Sequence, residues 1–268
     1  LFANEPSRRS RKAIYLHADM EEECHVRFPY LRYILAQYQK FDALVSVSDS
    51  VCHKNRETLG PLFGLPPEKF VFCNNAIHPS KVRELAKEPV CIPDAGRKPG
   101  GVKFITVGRL SPEKGHLKLV DSFARVHKKH ANSSLWIVGD GPLMNSLQER
   151  IAEMNVQDAV HLLGFQSNPY AYLQNADCFV LSSEYEGQGL VLIEAMILQR
   201  PVISTDVVGA RSVLLEAHYG RLVENSVEGL AQGMLDFVEK GMTVPAFDAE
   251  QYQRDAVAKF HSVVLGLP

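Results

Sequence analysis

The sequence lacks a long apolar run and an apolar leader. No run among its 268 residues reaches the roughly 18 residues that a membrane-spanning helix requires. The opening segment LFANEPSRRSRK has no apolar stretch of the kind that signal peptides carry. We therefore expect a soluble chain. It begins at Leu1 rather than at Met, so a processed or excised piece of a longer protein is one interpretation of the chain.

Paired cysteines and a surplus of charge are also missing. The five cysteines are isolated, with no Cys-x-x-Cys or Cys/His spacing suited to a metal. Reduced thiols in a cytoplasmic protein without a metal site are the expectation. The 29 Lys and Arg nearly balance the 31 Asp and Glu and are scattered along the chain, so we expect no nucleic acid partner.

What the chain does have is an alternation of short β-branched or aromatic runs with segments of helical periodicity, which predicts an α/β fold. The first part contains three strand candidates, at 13–19, 43–49 and 71–76. Helical segments are predicted around 29–40 and 50–59. The segment EPVCIPDAGRKPGG, at 88–101, is rich in Pro and Gly and predicts an interdomain linker, with a boundary near Gly100.

Beyond this linker the pattern is typical of a doubly wound parallel sheet. Six strand candidates are each followed by a helix-length segment: KFITVGRL, SLWIVGDG, VHLLGF, CFVLSS, PVISTD and YGRLVE. The last segment, 249–264, carries one apolar helical face and is expected to dock on the first domain. The predicted domains are therefore 1–99 together with 247–268, and 100–246.

Ligands of open α/β sheets bind at the carboxyl ends of the strands, so the residues after each strand are informative. Arg109 and Lys114 follow the first strand of the second domain, in a loop before a helix expected to begin near His116. Two cations there could clamp a diphosphate, although exposed loop cations are the commoner case.

Glycine-containing turns follow the next two strands. Gly139 and Gly141 in GDGP would let the backbone approach a ligand, or would serve a tight turn in which Pro142 starts the next helix. The backbone at Gly164 and Phe165 could read the edge of a nucleobase. The alternative is a plain turn with Asn168 as the cap of the following helix.

The segment EYEGQGLVLIE holds the most informative pair. Glu186 lies in a turn, and Glu194 lies inside a helix expected to begin near Leu190, flanked by apolar residues. Glu186 could merely offset the helix dipole, whereas a carboxylate in an apolar setting needs another reason. Free N–H groups at this helix start suit anions and sugar oxygens, and a carboxylate can accept from vicinal hydroxyls such as those of a ribose.

Together these segments resemble the donor-binding domain of glycosyltransferase family 4, which has the GT-B fold of two Rossmann-like domains. The resemblance covers about Lys103 to Val223. Its parts are VGRLSPEKG, LWIVGDGP, VHLLGF, FVLSSEYEGQGLVLIEAM and PVISTDVVG, in the order and spacing of the family. Glu186 and Glu194 fit the family's Glu-x7-Glu motif, with Gln188 where many members have Phe.

The resemblance implies retaining, metal-independent transfer of a sugar from a nucleoside diphosphate, without a cofactor. Arg109 and Lys114 would stabilise the leaving diphosphate, Glu194 would hold the ribose, and Glu186 would orient the donor sugar. His17, after the first strand, is a candidate to face that sugar, or is a structural histidine. The implied binding residues are Gly108, Arg109, Lys114, Gly139, Gly141, Gly164, Phe165, Glu186, Gly187, Gln188, Gly189, Leu190, Val191 and Glu194.

The first hundred residues resemble only the latter half of a GT-B acceptor domain. We expect this domain to be truncated, either because the chain is a fragment or because the domain is unusually reduced. The donor would be a UDP- or GDP-sugar, and the acceptor a saccharide, a polyol phosphate or a lipid-linked molecule. Polysaccharide or wall-polymer synthesis, in the cytoplasm or peripherally at the inner face of a membrane, is the implied setting. A binding fragment without activity, or a GT-B relative such as an epimerase or phosphorylase, are the alternatives.

Overall fold

The computed structural model describes residues 11–24, 30–91 and 101–266. Its contacts divide the chain into two compact units. Unit 1 comprises the described residues of Leu1–Ile77, Glu186–Gln188 and Glu250–Pro268, and unit 2 comprises those of His78–Tyr185 and Gly189–Ala249. Each unit has a parallel sheet of its own, as an α/β chain of this length predicts.

Unit 1 is built on a small sheet of order β1-β2-β3, with both pairs parallel. Its elements up to Ile77 are β1 (Ala13–Leu16), α1 (Met20–Glu22), α2 (Leu31–Leu35), a 3-10 helix (Ala36–Lys40), β2 (Ala43–Ser46), α3 (Asp49–Phe63), a 3-10 helix (Pro67–Lys69) and β3 (Phe70–Phe72).

The three strands are shorter than the sequence predicts, because polar residues after each strand turn the chain. After β2, Ser48 caps α3 by accepting a hydrogen bond from the N–H of Val51. After β3, the Asn74 amide donates to the carbonyl of Val47 at 3.1 Å. The prediction of one helix over 29–40 is also wrong in detail: residues 25–29 lie outside the described part of the chain, and α2 passes into a 3-10 helix at Ala36.

Unit 2 contains a six-stranded sheet of order β6-β5-β4-β7-β8-β9, parallel throughout. Its elements are α4 (Pro79–Leu85), β4 (Lys103–Val107), a 3-10 helix (Pro112–Lys114), α5 (His116–Lys129), β5 (Ser134–Val138), α6 (Met144–Glu153), β6 (Val160–Gly164), α7 (Pro169–Gln174), β7 (Cys178–Leu181), α8 (Leu190–Ile197), β8 (Val202–Thr205), α9 (Val208–Val213), β9 (Arg221–Val223) and α10 (Val227–Lys240). This confirms the six predicted strands and the doubly wound order.

Helix α4 falls in unit 2, so the contacts divide the chain at Ile77 rather than near Gly100. Helix α4 packs on α7 and α8, and the Asn168 side chain donates to the carbonyl of Leu85 at 2.9 Å. Because of these contacts, α4, which follows β3 in the chain, belongs to unit 2. The predicted boundary itself lies in 92–100, outside the described residues.

The C-terminal segment forms α11 (Ala249–Lys259) and a π-helical continuation (Phe260–Leu265). Its continuation contacts β2, and Val264 is buried in a cluster with Ala43, Val45 and Cys73. Ala256 is buried as well. The segment therefore completes the hydrophobic core on one face of the sheet in unit 1.

None of the helices within the described residues combines the length and the apolar character needed to cross a bilayer.

Candidate functional site

In unit 2, the loop after β4 carries both predicted cations. Arg109 is exposed directly beyond the strand, and Lys114 is half-buried at the end of the 3-10 helix that precedes α5. The backbone holds this loop in place, since Leu110 donates to the carbonyl of Asp140 at 2.9 Å and Leu143 donates to that of Leu110 at 3.0 Å. Both cations therefore lie at the carboxyl edge of the sheet, on a loop with a defined backbone.

A second segment, after β7, is bonded to the same loop. The Ser182 hydroxyl donates to the carbonyl of Lys114 at 2.8 Å, and the Glu184 N–H donates to the carbonyl of Glu113 at 2.8 Å. The loop of the predicted diphosphate clamp is thus joined to the start of the EYEGQG turn. The local sequence pattern does not predict this connection, because it joins the loops after two strands, β4 and β7, that are not consecutive in the chain.

The glycines of GDGP have a packing role. A Cβ at Gly139 would stand 1.9 Å from the carbonyl oxygen of Gly108, and one at Gly141 would stand 2.5 Å from that of Leu110. Only glycine permits this approach of the β5 turn to the β4 loop. Pro142 does not start the next helix as predicted: α6 begins at Met144, because residues 142 and 143 form a turn first.

The turn after β6 presents an aromatic ring. Gly164 ends the strand with a φ of +66°, and Phe165 is 75% exposed. Asn168 is the N-cap residue of α7, as the alternative interpretation has it, but its side chain makes no cap hydrogen bond. Its amide instead donates to the Leu85 carbonyl and to the Glu88 carboxylate. The turn leaves Phe165 available for stacking on a flat ring.

Glu194, on α8, lies where a carboxylate is costly. Burial raises the pKa of Glu194, and a hydrogen bond from the Tyr170 hydroxyl to Oε1, at 2.9 Å, acts in the opposite direction. Burial and the neighbouring carboxylate raise the pKa of Tyr170 to about 12, so its hydroxyl remains protonated and donates. Tyr170 was missed by sequence analysis. The signal for it was its place beside Pro169, in the first turn of α7 at the same edge of the sheet.

The start of α8 has the predicted form. Gly189 is its N-cap with a φ of +69°, followed by the exposed Leu190 and the half-buried Val191. The first N–H groups of a helix have no acceptor within it, so this end is suited to polar oxygens. Among the described parts of the chain, no group of three or more His, Cys, Asp or Glu side chains is arranged to hold a metal.

Two further features of unit 2 were not predicted. Lys118, in the first turn of α5, pairs with Glu184 at 2.7 Å and contacts Asn225, which itself bonds to Glu184. His116 is 1% exposed, and its Nδ1 has no hydrogen-bond acceptor or donor among the described atoms. Burial, and next the Lys114 charge, lower the pKa of His116 to about 4, so the ring is neutral near neutral pH.

The remaining predicted residues belong to unit 1. His17 is exposed just beyond β1, and Glu186 is half-buried. A Cβ at Gly187 would stand 2.0 Å from the carbonyl oxygen of His17, and the Ser48 hydroxyl donates to the carbonyl of Gly187 at 3.0 Å. The structure therefore brings His17 close to the Glu186–Gln188 segment, although they are far apart in sequence.

Gln188 has a buried side chain that is hydrogen-bonded within unit 1. Its side chain is 3% exposed and is bonded to Asn75 and Tyr252. The side-chain amide is thus committed within unit 1. A contribution of Gln188 to donor binding would come from its backbone N–H.

Comparison with known proteins places the chain in a family. Residues 92–254 match the model of the family described as glycosyl transferases group 1, so the chain belongs to this family. An uncharacterized glycosyltransferase of Methanocaldococcus jannaschii is 36% identical over 186 residues, which are 69% of this chain and 46% of that protein.

A second relative is the N-acetylgalactosamine-N,N'-diacetylbacillosaminyl-diphospho-undecaprenol 4-alpha-N-acetylgalactosaminyltransferase of Campylobacter jejuni. It is 32% identical over 234 residues, 82% of this chain and 60% of that protein. The chain thus spans about half the length of the curated relatives that it matches first.

Among solved structures, the Anabaena protein HepE in complex with UDP and glucose superposes with a TM-score of 0.74 at 20% identity, over 96% of this chain and 71% of that chain. This similarity, with the parallel sheets, confirms the predicted α/β class and the GT-B fold.

Proposed function

We propose that the protein acts as a retaining, metal-independent glycosyltransferase of the family 4 type, moving a sugar from a nucleoside diphosphate to an acceptor hydroxyl. The observation that carries the proposal is Glu194. Its carboxylate is kept in a setting that raises its pKa, beside the Tyr170 hydroxyl and at the carboxyl edge of a doubly wound sheet. An ionised carboxylate in a setting that disfavours its charge indicates a binding role.

The other residues of unit 2 suit a nucleoside diphosphate. Glu194 accepts hydrogen bonds from the ribose hydroxyls, each worth about 1.5 to 3 kcal/mol when the acceptor is charged. Arg109 and Lys114 bind the diphosphate and stabilise its charge as it leaves, which is electrostatic catalysis without a metal. Phe165 and the backbone at Gly164 bind the base. The N–H groups at the start of α8 bind oxygens of the donor.

In unit 1, Glu186 and the backbone of Gly187 and Gln188 orient the sugar that is transferred, and His17 contacts it. The proximity of the His17 carbonyl to Gly187 supports this grouping. Retention of the anomeric configuration rests on the resemblance to family 4. It is checked by observing the anomeric proton of the product by NMR.

The donor and acceptor are proposed from the relatives. The HepE complex contains UDP and glucose, which supports a UDP-sugar over a GDP-sugar. That no cofactor takes part rests on the resemblance to family 4. The Campylobacter enzyme acts, by its name, on a saccharide linked to diphospho-undecaprenol. A lipid-linked saccharide acceptor, used in polysaccharide synthesis by a cytoplasmic protein associated with the membrane surface, fits this chain.

The first test is calorimetric titration with UDP and with GDP in the presence of EDTA. We expect UDP to bind, and we expect Lys114→Ala to weaken binding at least several-fold because a charge-assisted contact is lost. Lys128→Ala is the matched control, since this exposed lysine lies near the C-terminal end of α5, about 18 Å along the helix.

Equal affinity of wild type and Lys114→Ala at moderate salt would make Lys114 a solvated loop cation. Binding of neither nucleotide would contradict the proposed function. Binding of UDP without release of UDP from any UDP-sugar would favour a nucleotide-sugar-binding protein without turnover of its own.

A further inference from the structure

Gln188 lies in a closed network of hydrogen bonds inside unit 1. Its Oε1 accepts from the N–H of Asn75 at 3.1 Å and from the Asn75 side-chain amide at 2.6 Å. Its Nε2 donates to the Tyr252 hydroxyl at 2.7 Å, and this hydroxyl lies 3.1 Å from the carbonyl of Asn75. Three segments distant in sequence meet there: the loop after β3, the Glu186–Gln188 segment and α11.

The direction of every hydrogen bond in this network is determined. A backbone N–H can only donate, so Gln188 must turn its oxygen toward Asn75 and its NH₂ toward Tyr252. The Asn75 carbonyl can only accept, so the Tyr252 hydroxyl must donate to it while it accepts from Gln188. Burial raises the pKa of Tyr252, which keeps that proton in place. Fully satisfied buried networks of this kind impose one geometry on their members.

The network acts on the segment that carries Glu186. Gly187, between Glu186 and Gln188, is held by the Ser48 hydroxyl at its carbonyl and abuts the His17 carbonyl. Phe, which many family members have at the position of Gln188, could form none of the amide hydrogen bonds. The chain therefore has a polar means of fixing this backbone that the common family residue lacks.

We propose that Gln188, Asn75 and Tyr252 are positioning residues for Glu186: their hydrogen-bond network fixes the Glu186–Gln188 backbone, so that a side chain on the C-terminal helix controls the transfer step. The kinetic part of this proposal rests on the proposed function. The structural part, the order of the segment, does not.

The test is Tyr252→Phe, which removes one hydroxyl and leaves the Gln188 NH₂ and the Asn75 carbonyl without their acceptor and donor. We expect hydrogen exchange of the Gly187 to Gly189 amides to accelerate about tenfold, the effect of losing one buried hydrogen bond. In turnover assays we expect kcat to fall several-fold while the affinity for bare UDP is unchanged. Tyr38→Phe is the matched control, because Tyr38 is a buried tyrosine of unit 1 in the 3-10 helix Ala36–Lys40.

A double-mutant cycle separates coupling from general loosening. In a Gln188→Met background, Tyr252→Phe should add little to either readout, since the network is already broken. Additive effects, or equal exchange in Tyr252→Phe and Tyr38→Phe, would overturn the proposal. If the wild type shows no turnover, the proposed function fails, while the exchange data still decide whether the network orders the segment.

Discussion

At the scale of single residues, the central feature is the contrast between Glu186 and Glu194. Glu194 is half-buried on α8 in unit 2, has a raised pKa and accepts a hydrogen bond from the Tyr170 hydroxyl. Glu186 is also half-buried and lies in the turn that belongs to unit 1. The two carboxylates lie in different environments, so their substitution should have different effects.

Glu194→Gln should stabilise the ligand-free protein, although it should weaken the binding of the ligand. The raised pKa means that the folded state favours the neutral acid, so ionised Glu194 lowers the free energy of unfolding. Gln removes that cost and can still accept from Tyr170. In urea titrations, the increase in the free energy of unfolding of Glu194→Gln over wild type should be full above the raised pKa. It should vanish as the pH falls below 4.5, the ordinary pKa of a glutamate. Unchanged stability at every pH would contradict this account.

The same pair predicts a division in ligand binding. Glu194→Gln should weaken the binding of bare UDP, because an amide oxygen accepts from two hydroxyls less well than a carboxylate does. Glu186→Gln should leave the affinity for bare UDP intact and lower kcat, since it contacts the sugar that moves. Calorimetry with UDP and then with a UDP-sugar separates the two. Equal losses for both ligands in both variants would mean that the glutamates only hold the turn together.

At the scale of an element, the start of α5 combines a helix N-terminus, the nearby Lys114 and the buried ring of His116. A protonated ring there would be desolvated and would face the Lys114 charge, and both effects lower the pKa of His116 to about 4. The unfolded chain binds this proton at a higher pH than the folded one. The neutral His116 ring therefore contributes its full stabilisation above pH 6.5, and this stabilisation is lost as the pH falls from 6.5 through about 4.

His116→Leu should make the protein less sensitive to acid. Urea unfolding of the wild type should lose up to about 1.4 kcal/mol per pH unit from this one proton, and the variant should lose less. The variant should keep some sensitivity to acid because burial also lowers the pKa of His161. His218→Gln, at an exposed position, is the control. An identical pH profile for His116→Leu and wild type would show that His116 does not titrate in this range.

At the scale of the whole molecule, each unit has its own hydrophobic core. The single tryptophan, Trp136, is buried on β5 in unit 2, where its fluorescence reports on that unit. The apolar cluster that includes Val264 lies on the sheet of unit 1 and depends on the C-terminal segment. A core change in one unit can therefore be observed separately from the other.

Val264→Ala should destabilise unit 1 by about 2 kcal/mol, since it removes two buried methyl groups and leaves a cavity. Circular dichroism should show part of the helical signal lost at lower urea, while the Trp136 fluorescence transition stays in place. Val120→Ala, in the core of unit 2, should shift the fluorescence instead. A shift of both signals by Val264→Ala would mean that the units unfold together.

The local pattern of the sequence determined much of this protein. Alternating strand and helix periodicity predicted the α/β class and the six strands of unit 2, because both periods are set by the geometry of the chain itself. The order of motifs from Gly108 to Glu194 predicted which strand ends carry polar residues. Strand lengths in unit 1 were overestimated, since residues such as Ser48 and Asn74 look compatible with a strand until their side chains bond the backbone.

Only the tertiary structure decided which side chains those residues meet. The Tyr170–Glu194 and Gln188–Tyr252 hydrogen bonds join residues 24 and 64 positions apart, and the Tyr252–Asn75 bond spans 177. Such contacts depend on the order of the strands in each sheet and on where α11 packs, which no short-range pattern encodes. The physical reason is that secondary structure follows from each segment's own backbone and side chains, whereas a buried hydrogen bond requires two distant segments to be brought together by a common core.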